Sequence, residues 1–189
     1  EKYRAIWTER GSPLRVIMEE QAAALAERLP EEWSVFLGMR YGQPSIESAL
    51  REIARQEIDE LVVVPLYPHF SRTTTGTTVD EVYRVLKTHA LHVNVIARTS
   101  WNADAGYLNA QARLIADFAQ QRGVTPDDSY LLFAAHGLPV LYIERGDPYE
   151  RQLTESVRLI RERLGWPVER TSTAYQSRMG PHEWLQPEL

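Results

Sequence analysis

Short apolar runs alternate along this chain with segments of helical periodicity. Leu61–Val64 and Tyr130–Ala134 are continuous runs of apolar side chains, each followed by a loop and then by an amphipathic segment. Runs of this kind are typical of strands that are buried on both faces of a parallel sheet. The alternation therefore predicts an α/β fold with a mostly parallel sheet.

Start and stop signals place the remaining elements. Trp33–Met39 and Val93–Ala97 are two further predicted strands. Ser12 and Pro13 resemble a cap and a first-position proline, and Pro30 closes the helix that they begin. Helices are also predicted from Ser45, around residues 79–86, near 104–122, and from Asp147-Pro148 to Leu164, where Glu150 completes a capping box. The helix near 104–122 could connect two similar βαβ halves.

Composition excludes several classes of protein. The 189 residues contain no cysteine, which excludes disulfides, thiolate metal sites and iron–sulfur ligation by this chain. The 21 basic residues are interspersed among 26 acidic ones, so we expect no nucleic-acid partner. No apolar run reaches the roughly 18 residues of a membrane helix, and no signal peptide opens the chain, so we expect a cytoplasmic protein.

His136 is the strongest catalytic candidate. It follows a predicted buried strand and precedes Gly137, and ligands of open parallel sheets bind beyond the carboxyl ends of the strands. A neutral imidazole accepts a proton or binds a divalent metal near neutral pH. The alternative is a structural histidine that is hydrogen-bonded to a neighbouring carbonyl group.

A hydroxyl-rich segment, Ser71–Thr78, leads into a predicted helix. One arginine and one glycine among its hydroxyl groups suit the binding of a phosphate or a propionate. The segment lacks the lysine and the glycine spacing of a P-loop, and capping of the helix alone would explain it equally well. A phosphate- or nucleotide-binding regulator is the function that this segment would support.

Aromatic and thioether side chains gather near the predicted strand ends. They could line a broad pocket for a planar ligand, although packing between loops explains most of them. His69 lies beside the hydroxyl-rich segment and could join such a pocket. The set comprises Met39, Tyr41, Tyr67, Phe70, Trp101, Met179 and Trp184.

Three ordered motifs give the chain a family resemblance. Phe133–Pro139, Arg145–Tyr149 and Tyr175–Pro181 with Trp184-Leu185 resemble the corresponding segments of ferrochelatases. The resemblance extends over essentially all 189 residues. Supporting matches are Ile6–Thr8 with Gly11–Pro13, Met39–Tyr41, and Pro65–Ser71 continuing into Thr74–Gly76.

The resemblance implies a chelatase-like α/β fold of two Rossmann-like βαβ domains with mostly parallel sheets and a porphyrin cleft between them. Residues 1–105 would be the remainder of the first domain and residues 106–189 the start of the second. The implied reaction is the insertion of ferrous iron into a porphyrin to form haem, with protoporphyrin IX favoured over coproporphyrin. No prosthetic group is implied, because Fe²⁺ is a substrate. The apolar porphyrin is consistent with peripheral membrane contact.

The resemblance also assigns site residues. His136 matches the family's active-site histidine, to which proton abstraction and metal binding are both attributed. The family's N-terminal strand and its C-terminal carboxylate have no match here, so we expect a fragment, and a non-catalytic porphyrin-binding piece is the alternative function. The residues that match positions near the porphyrin are Arg40, Tyr41, Tyr67, Trp101 and Trp184.

Overall fold

A computed structural model describes residues 7–189 and divides the chain into two compact units. The first unit contains the described residues up to Val62 together with Thr77–Ile96. The second contains Val63–Gly76 together with Ala97–Leu189. Ile6, which begins one of the matched motifs, lies outside the described residues. The domain boundary between residues 105 and 106 remains a prediction.

The first unit is built around two helices that pack against each other. Its helices are α1 (Pro13–Ala26), α2 (Ile46–Ile53) and α3 (Thr77–Thr88). The strands β1 (Glu60–Val63) and β2 (Asn94–Ala97) pair with each other and lie in this unit except for their last residues, which belong to the second. The Ser45 hydroxyl caps α2 by accepting a hydrogen bond from the Ser48 N–H at 3.0 Å. The buried faces of α2 and α3 consist of Ile46, Leu50 and Ile53, and of Val82, Val85 and Leu86.

The predicted strand Trp33–Met39 is wrong. Within residues 7–189, this segment has no ladder partner and forms only an isolated bridge between Met39 and Ser45. The Met39 N–H donates to the Pro44 carbonyl at 2.7 Å, and the Ile46 N–H donates to the Met39 carbonyl at 3.2 Å. An apolar sequence favours an extended backbone, but a strand also needs a neighbour to supply its hydrogen bonds.

The second unit contains a parallel strand pair. Its helices are α4 (Ala105–Arg122), α5 (Val140–Glu144) and α6 (Tyr149–Leu164), and its strands are β3 (Leu131–His136) and β4 (Thr171–Gln176). A π-helical turn at Arg72–Gly76 and a 3₁₀ turn at Val168–Arg170 complete it. The strands β3 and β4 run parallel with α6 between them in the chain, which confirms the predicted α/β class.

The helices α4 and α6 cover one face of β3. Leu108 and Ala112 of α4 and Ile160 of α6 form a buried cluster against which Phe133 of β3 packs. Side chains alternate across a strand, so His136 projects from the opposite face to Phe133, together with the exposed Leu132. The packing that buries β3 thus leaves its terminal histidine outside the core.

Two elements of this unit have no counterpart in the sequence prediction. The strand β4 is rich in hydroxyl groups and lacks the apolar run that identified β3. The helix α5 has only five residues, too few to show a helical period. Helix α6 begins at Tyr149, so Pro148 precedes the helix and does not occupy its first position. No helix of the described residues is long and apolar enough to cross a membrane.

Candidate active site

The centre of the candidate site is His136 at the carboxyl end of β3. Its side chain is exposed, and Gln176 lies opposite it in the register with β4. No group of residues 7–189 forms a hydrogen bond with its imidazole ring. The ring is therefore accessible to a ligand, and within residues 7–189 it is not hydrogen-bonded to a neighbouring carbonyl; its catalytic role remains a prediction.

The peptide group after His136 is held at both of its polar atoms. The Tyr149 hydroxyl donates a hydrogen bond to the His136 carbonyl at 2.8 Å. The Gly137 N–H donates to the Gln176 carbonyl, also at 2.8 Å. These two bonds fix the plane of the His136–Gly137 peptide between α6 on one side and β4 on the other.

Trp184 packs closely against Gly137. A Cβ atom on Gly137 would be only 3.2 Å from Trp184 Cε3 and 3.1 Å from the Gln176 carbonyl oxygen. The chain around Trp184 pairs with the loop after His136: the Val140 N–H donates to Glu183 at 2.9 Å, and the Leu185 N–H donates to Leu138 at 3.0 Å. Glycine at position 137, directly after His136, thus allows the indole ring to pack closely at this position.

The indole N–H of Trp184 has no hydrogen-bond partner among residues 7–189. Its Nε1 atom is buried and forms no hydrogen bond within the described part of the chain, although the residue as a whole is half-buried. The ring is therefore fixed by packing and by the antiparallel bridge between Pro139 and Trp184. A rigid aromatic surface of this kind suits contact with a planar ligand.

Trp101 is bound to the loop that carries Tyr67. The Trp101 backbone N–H donates to Pro68 at 2.9 Å, and its indole N–H donates to the Pro65 carbonyl at 3.1 Å. Tyr107 packs edge-on against the indole with ring centroids 5.0 Å apart. Tyr67 itself is 41% exposed, so its ring is free to contact a ligand.

His69 has a structural role in place of the expected pocket role. Its Nε2 lies 2.9 Å from the hydroxyl of Ser156, which is itself buried and donates to the Asn102 carbonyl at 2.8 Å. Burial lowers the pKa of His69 to about 4, from its ordinary value of 6.5, because the charged imidazolium would lose its hydration. His69 is therefore neutral at pH 7 and serves to attach its loop to α6.

The hydroxyl-rich segment already holds an anion, the carboxylate of Asp147. Asp147 Oδ2 accepts a hydrogen bond from the Ser71 hydroxyl at 2.9 Å and another from the Arg72 N–H at 2.8 Å. A phosphate at these two donors would be repelled by that carboxylate. This geometry disfavours the expected phosphate or nucleotide site at the beginning of the segment.

Comparison of the whole chain with known proteins identifies its family. The family model of ferrochelatase matches residues 1–189. The chain belongs to the ferrochelatase family. Proteins named ferrochelatase are 44% identical to it in Picosynechococcus, 41% in Thioalkalivibrio sulfidiphilus and 38% in Brucella canis. These alignments cover 94%, 98% and 98% of this chain, and 47%, 50% and 53% of the relatives.

The chain thus spans about half the length of the curated ferrochelatases that it matches. Among solved structures, SirB from Bacillus subtilis with Fe³⁺ has a similar fold, with a TM-score of 0.60 and 20% sequence identity. That alignment covers 91% of this chain and 64% of the SirB chain. At this identity the likeness supports the fold alone, and it agrees with the predicted chelatase-like architecture.

The remaining expected site residues of this ferrochelatase-family chain lie in the first unit. Arg40 is half-buried, and its Nε donates to the Thr77 carbonyl at 3.2 Å. Its guanidinium lies 4.7 Å from the ring centroid of Tyr41, which is 72% exposed. The other four expected residues, His136, Tyr67, Trp101 and Trp184, all belong to the second unit.

Metal ligation by His136 remains a prediction. Within residues 7–189 no three histidine, aspartate or glutamate side chains are grouped so that they could hold a metal ion. A metal at His136 would therefore have at most one other histidine or carboxylate ligand from the described residues and would take the rest from the porphyrin, from water or from outside those residues.

The sequence prediction missed the role of Tyr149. This residue ends the Arg145–Tyr149 motif, which entered only as part of the family resemblance. Its hydroxyl group contacts a carbonyl 13 residues earlier in the chain, a contact that no local pattern encodes. The one signal was the position of a tyrosine in the first turn of a predicted helix, close to the histidine motif in sequence.

Proposed function

We propose that the whole protein inserts ferrous iron into a porphyrin to form haem, with protoporphyrin IX preferred over coproporphyrin. Family membership over all 189 residues supports the reaction class. The observation that carries the proposal is the exposed His136 imidazole, free of hydrogen bonds to residues 7–189, at the end of a strand whose backbone is held on both sides.

The chemistry requires a base, a binding surface and a distortion of the ring. A free-base porphyrin carries two pyrrole N–H protons, which must leave as Fe²⁺ enters. The imidazole of His136 has one free lone pair, with which it either accepts one pyrrole proton or ligates the incoming iron, and water takes up the remaining proton; a general base contributes about 10²–10⁴-fold to a rate. Bending the macrocycle exposes the nitrogen lone pairs at a cost on the order of 1–5 kcal/mol, which binding of the ring periphery supplies.

Aromatic side chains supply that binding. Trp184 presents a packed indole against Gly137, the residue after His136. Trp101 is hydrogen-bonded to the loop that carries Tyr67, in the same unit. Arg40 and Tyr41 are proposed as further substrate-binding residues on the family match alone. The proposed partners are the porphyrin and ferrous iron, and Fe²⁺ is consumed as a substrate, so the proposed reaction needs no prosthetic group. Peripheral contact with a membrane would deliver the apolar porphyrin.

The proposal is tested by anaerobic metallation with the whole protein. Free-base protoporphyrin or coproporphyrin is mixed with Fe²⁺, and haem formation is followed by absorbance. We expect His136→Ala to abolish turnover with an unchanged far-UV circular dichroism spectrum. His92→Ala is the matched control, since His92 is an exposed histidine of the first unit. Normal turnover by His136→Ala would exclude this histidine from the mechanism.

A second candidate function concerns residues 1–189 alone. Since the chain spans about half of its curated relatives, it could bind a porphyrin without metallating it. Titration of this chain with free-base porphyrin, followed by addition of Fe²⁺, separates the two. A shifted Soret band with no haem product indicates binding alone, whereas haem formation shows that these residues suffice for the reaction.

A further inference from the structure

No hydrogen bond of the described residues fixes the His136 imidazole, so the backbone, which sets the direction of the Cα–Cβ bond, is the main restraint on where the ring can lie. No hydrogen bond from residues 7–189 reaches its ring nitrogens, and the side chain is exposed. The Cα–Cβ bond of a residue points where its backbone directs it. The two hydrogen bonds on the His136–Gly137 peptide therefore determine where the ring can go.

We propose that Tyr149 is a positioning residue for His136: its phenol hydroxyl, by holding the His136 carbonyl, directs the imidazole toward the porphyrin. This inference rests on the proposed catalytic role of His136. The Gln176 bond to Gly137 belongs to the backbone pairing of β3 with β4. Tyr149 supplies the side-chain restraint on the same peptide, from a different element, α6.

Tyr149 is itself held from three directions. Its backbone N–H donates to Asp147 Oδ1 at 3.1 Å. Its ring packs against the buried cluster that includes Leu138 and Leu153 and lies edge-on to His69, with centroids 5.9 Å apart. A tyrosine whose backbone and ring are both restrained can restrict the motion of a group that it hydrogen-bonds, whereas a mobile, exposed tyrosine would move together with that group.

The tyrosine also remains a donor across the working pH range. Burial raises the pKa of Tyr149 to about 12, because the phenolate would be poorly solvated there. The hydroxyl therefore keeps its proton at neutral and mildly alkaline pH. Asp147, which holds the tyrosine backbone, also binds the Ser71 hydroxyl, so the support extends to the loop that carries His69.

The hydrogen bond can be observed directly by isotope labelling. His136-Gly137 is the one histidine–glycine pair in the 189 residues. Whole protein labelled with ¹³C-carbonyl histidine and ¹⁵N-glycine gives an HNCO cross-peak for this peptide, assigned by its loss in His136→Ala. In Tyr149→Phe we expect the carbonyl resonance to move upfield, because its oxygen loses a donor.

The control is Tyr175→Phe. Tyr175 belongs to the same buried cluster, and its hydroxyl forms no hydrogen bond with any described residue. The same change of one hydroxyl group there should leave the cross-peak in place. A cross-peak that stays in place in Tyr149→Phe, or that moves equally in both variants, would overturn the proposal.

The kinetic test separates positioning from general stability. Displacing a catalytic group by 1 Å costs about 10²-fold in rate, so partial loosening by Tyr149→Phe should lower kcat of metallation about 10-fold. KM for porphyrin should change by less than about twofold, because the hydroxyl group has no contact with substrate in this assignment. Tyr175→Phe should retain the wild-type kcat.

The outcomes distinguish this inference from the proposed function. An inactive wild-type protein would refute the proposed function. An active wild type with an equally active Tyr149→Phe variant would refute only the positioning role. If Tyr149→Phe does not fold, 3-fluorotyrosine at position 149 retains the ring and strengthens the donor. The carbonyl resonance should then move downfield, and an unmoved resonance would overturn the proposal.

Discussion

Gly137→Ala should destabilise the second unit and displace Trp184. The added Cβ would lie 3.1 Å from the Gln176 carbonyl oxygen and 3.2 Å from Trp184 Cε3. Both neighbours are restrained, since Gln176 is paired with β3 and Trp184 is bridged to Pro139. Gly137 is not among the glycines with positive φ, so the cost is one of space and not of backbone strain.

The magnitude follows from two opposing effects. Inserting a methyl group into a packed site costs about 1–3 kcal/mol. Replacing glycine by alanine restricts the unfolded chain and recovers about 0.4–1 kcal/mol. At the midpoints of these ranges the net loss in the free energy of unfolding is about 1.3 kcal/mol, which corresponds to a fall of about 0.5 M in the urea midpoint.

The assay is urea unfolding followed by circular dichroism, with the Trp184 indole N–H resonance as a local probe. Gly123→Ala is the control: its Cβ would meet nothing within 4 Å, but its φ of +65° is unfavourable for alanine. We expect the control to lose about 1 kcal/mol through the backbone without moving the indole resonance. A Gly137→Ala variant as stable as the wild type, with an unmoved indole, would contradict the close packing described.

Two further predictions concern the second unit. Leu108→Ala should lower the free energy of unfolding by about 2–5 kcal/mol, because Leu108 is fully buried. Leu114→Ala, on the exposed side of the same helix, should change it by less than about 0.5 kcal/mol. Urea unfolding of the two variants measures both values. Stability should also fall as the pH drops from 6.5 toward 4, because unfolded His69 binds a proton in that window and the folded form does not. His69→Gln should flatten that dependence in chemical unfolding across the same pH range, and an unchanged slope would contradict the buried neutral imidazole.

Local sequence patterns predicted those strands and helices whose own side chains form an apolar run or an amphipathic period. The run Tyr130–Ala134 identified β3, which the structure places at Leu131–His136, and the position of His136 at its carboxyl end followed from that run. The amphipathic periods of α3, α4 and α6 were equally readable. The fold buries only part of each apolar set: Val82, Leu108 and Ile160 are buried, whereas Tyr83, Phe118 and Leu132 are exposed, so burial of the β3 run on both faces was wrongly predicted.

Elements that depend on a neighbour were not predictable. Trp33–Met39 has the composition of a strand but no ladder partner among residues 7–189, and β4 has a partner but a polar composition. Strand pairing depends on the whole unit, so composition predicted one strand that does not form and missed one that does. The contacts of Tyr149 with His136 and of His69 with Ser156 arise in the same way, from packing across 13 and 87 positions of the chain.

The most direct test of the central claim is a single-turnover measurement. Whole protein loaded with free-base porphyrin is mixed rapidly with Fe²⁺ under anaerobic conditions, and the rate of haem formation is compared between wild type, His136→Ala and His92→Ala. We predict a rate about 10²–10⁴-fold lower for His136→Ala, with porphyrin still bound, and a wild-type rate for His92→Ala. A His136→Ala rate within about twofold of the wild type would show that the exposed imidazole at the end of β3 takes no part in metallation.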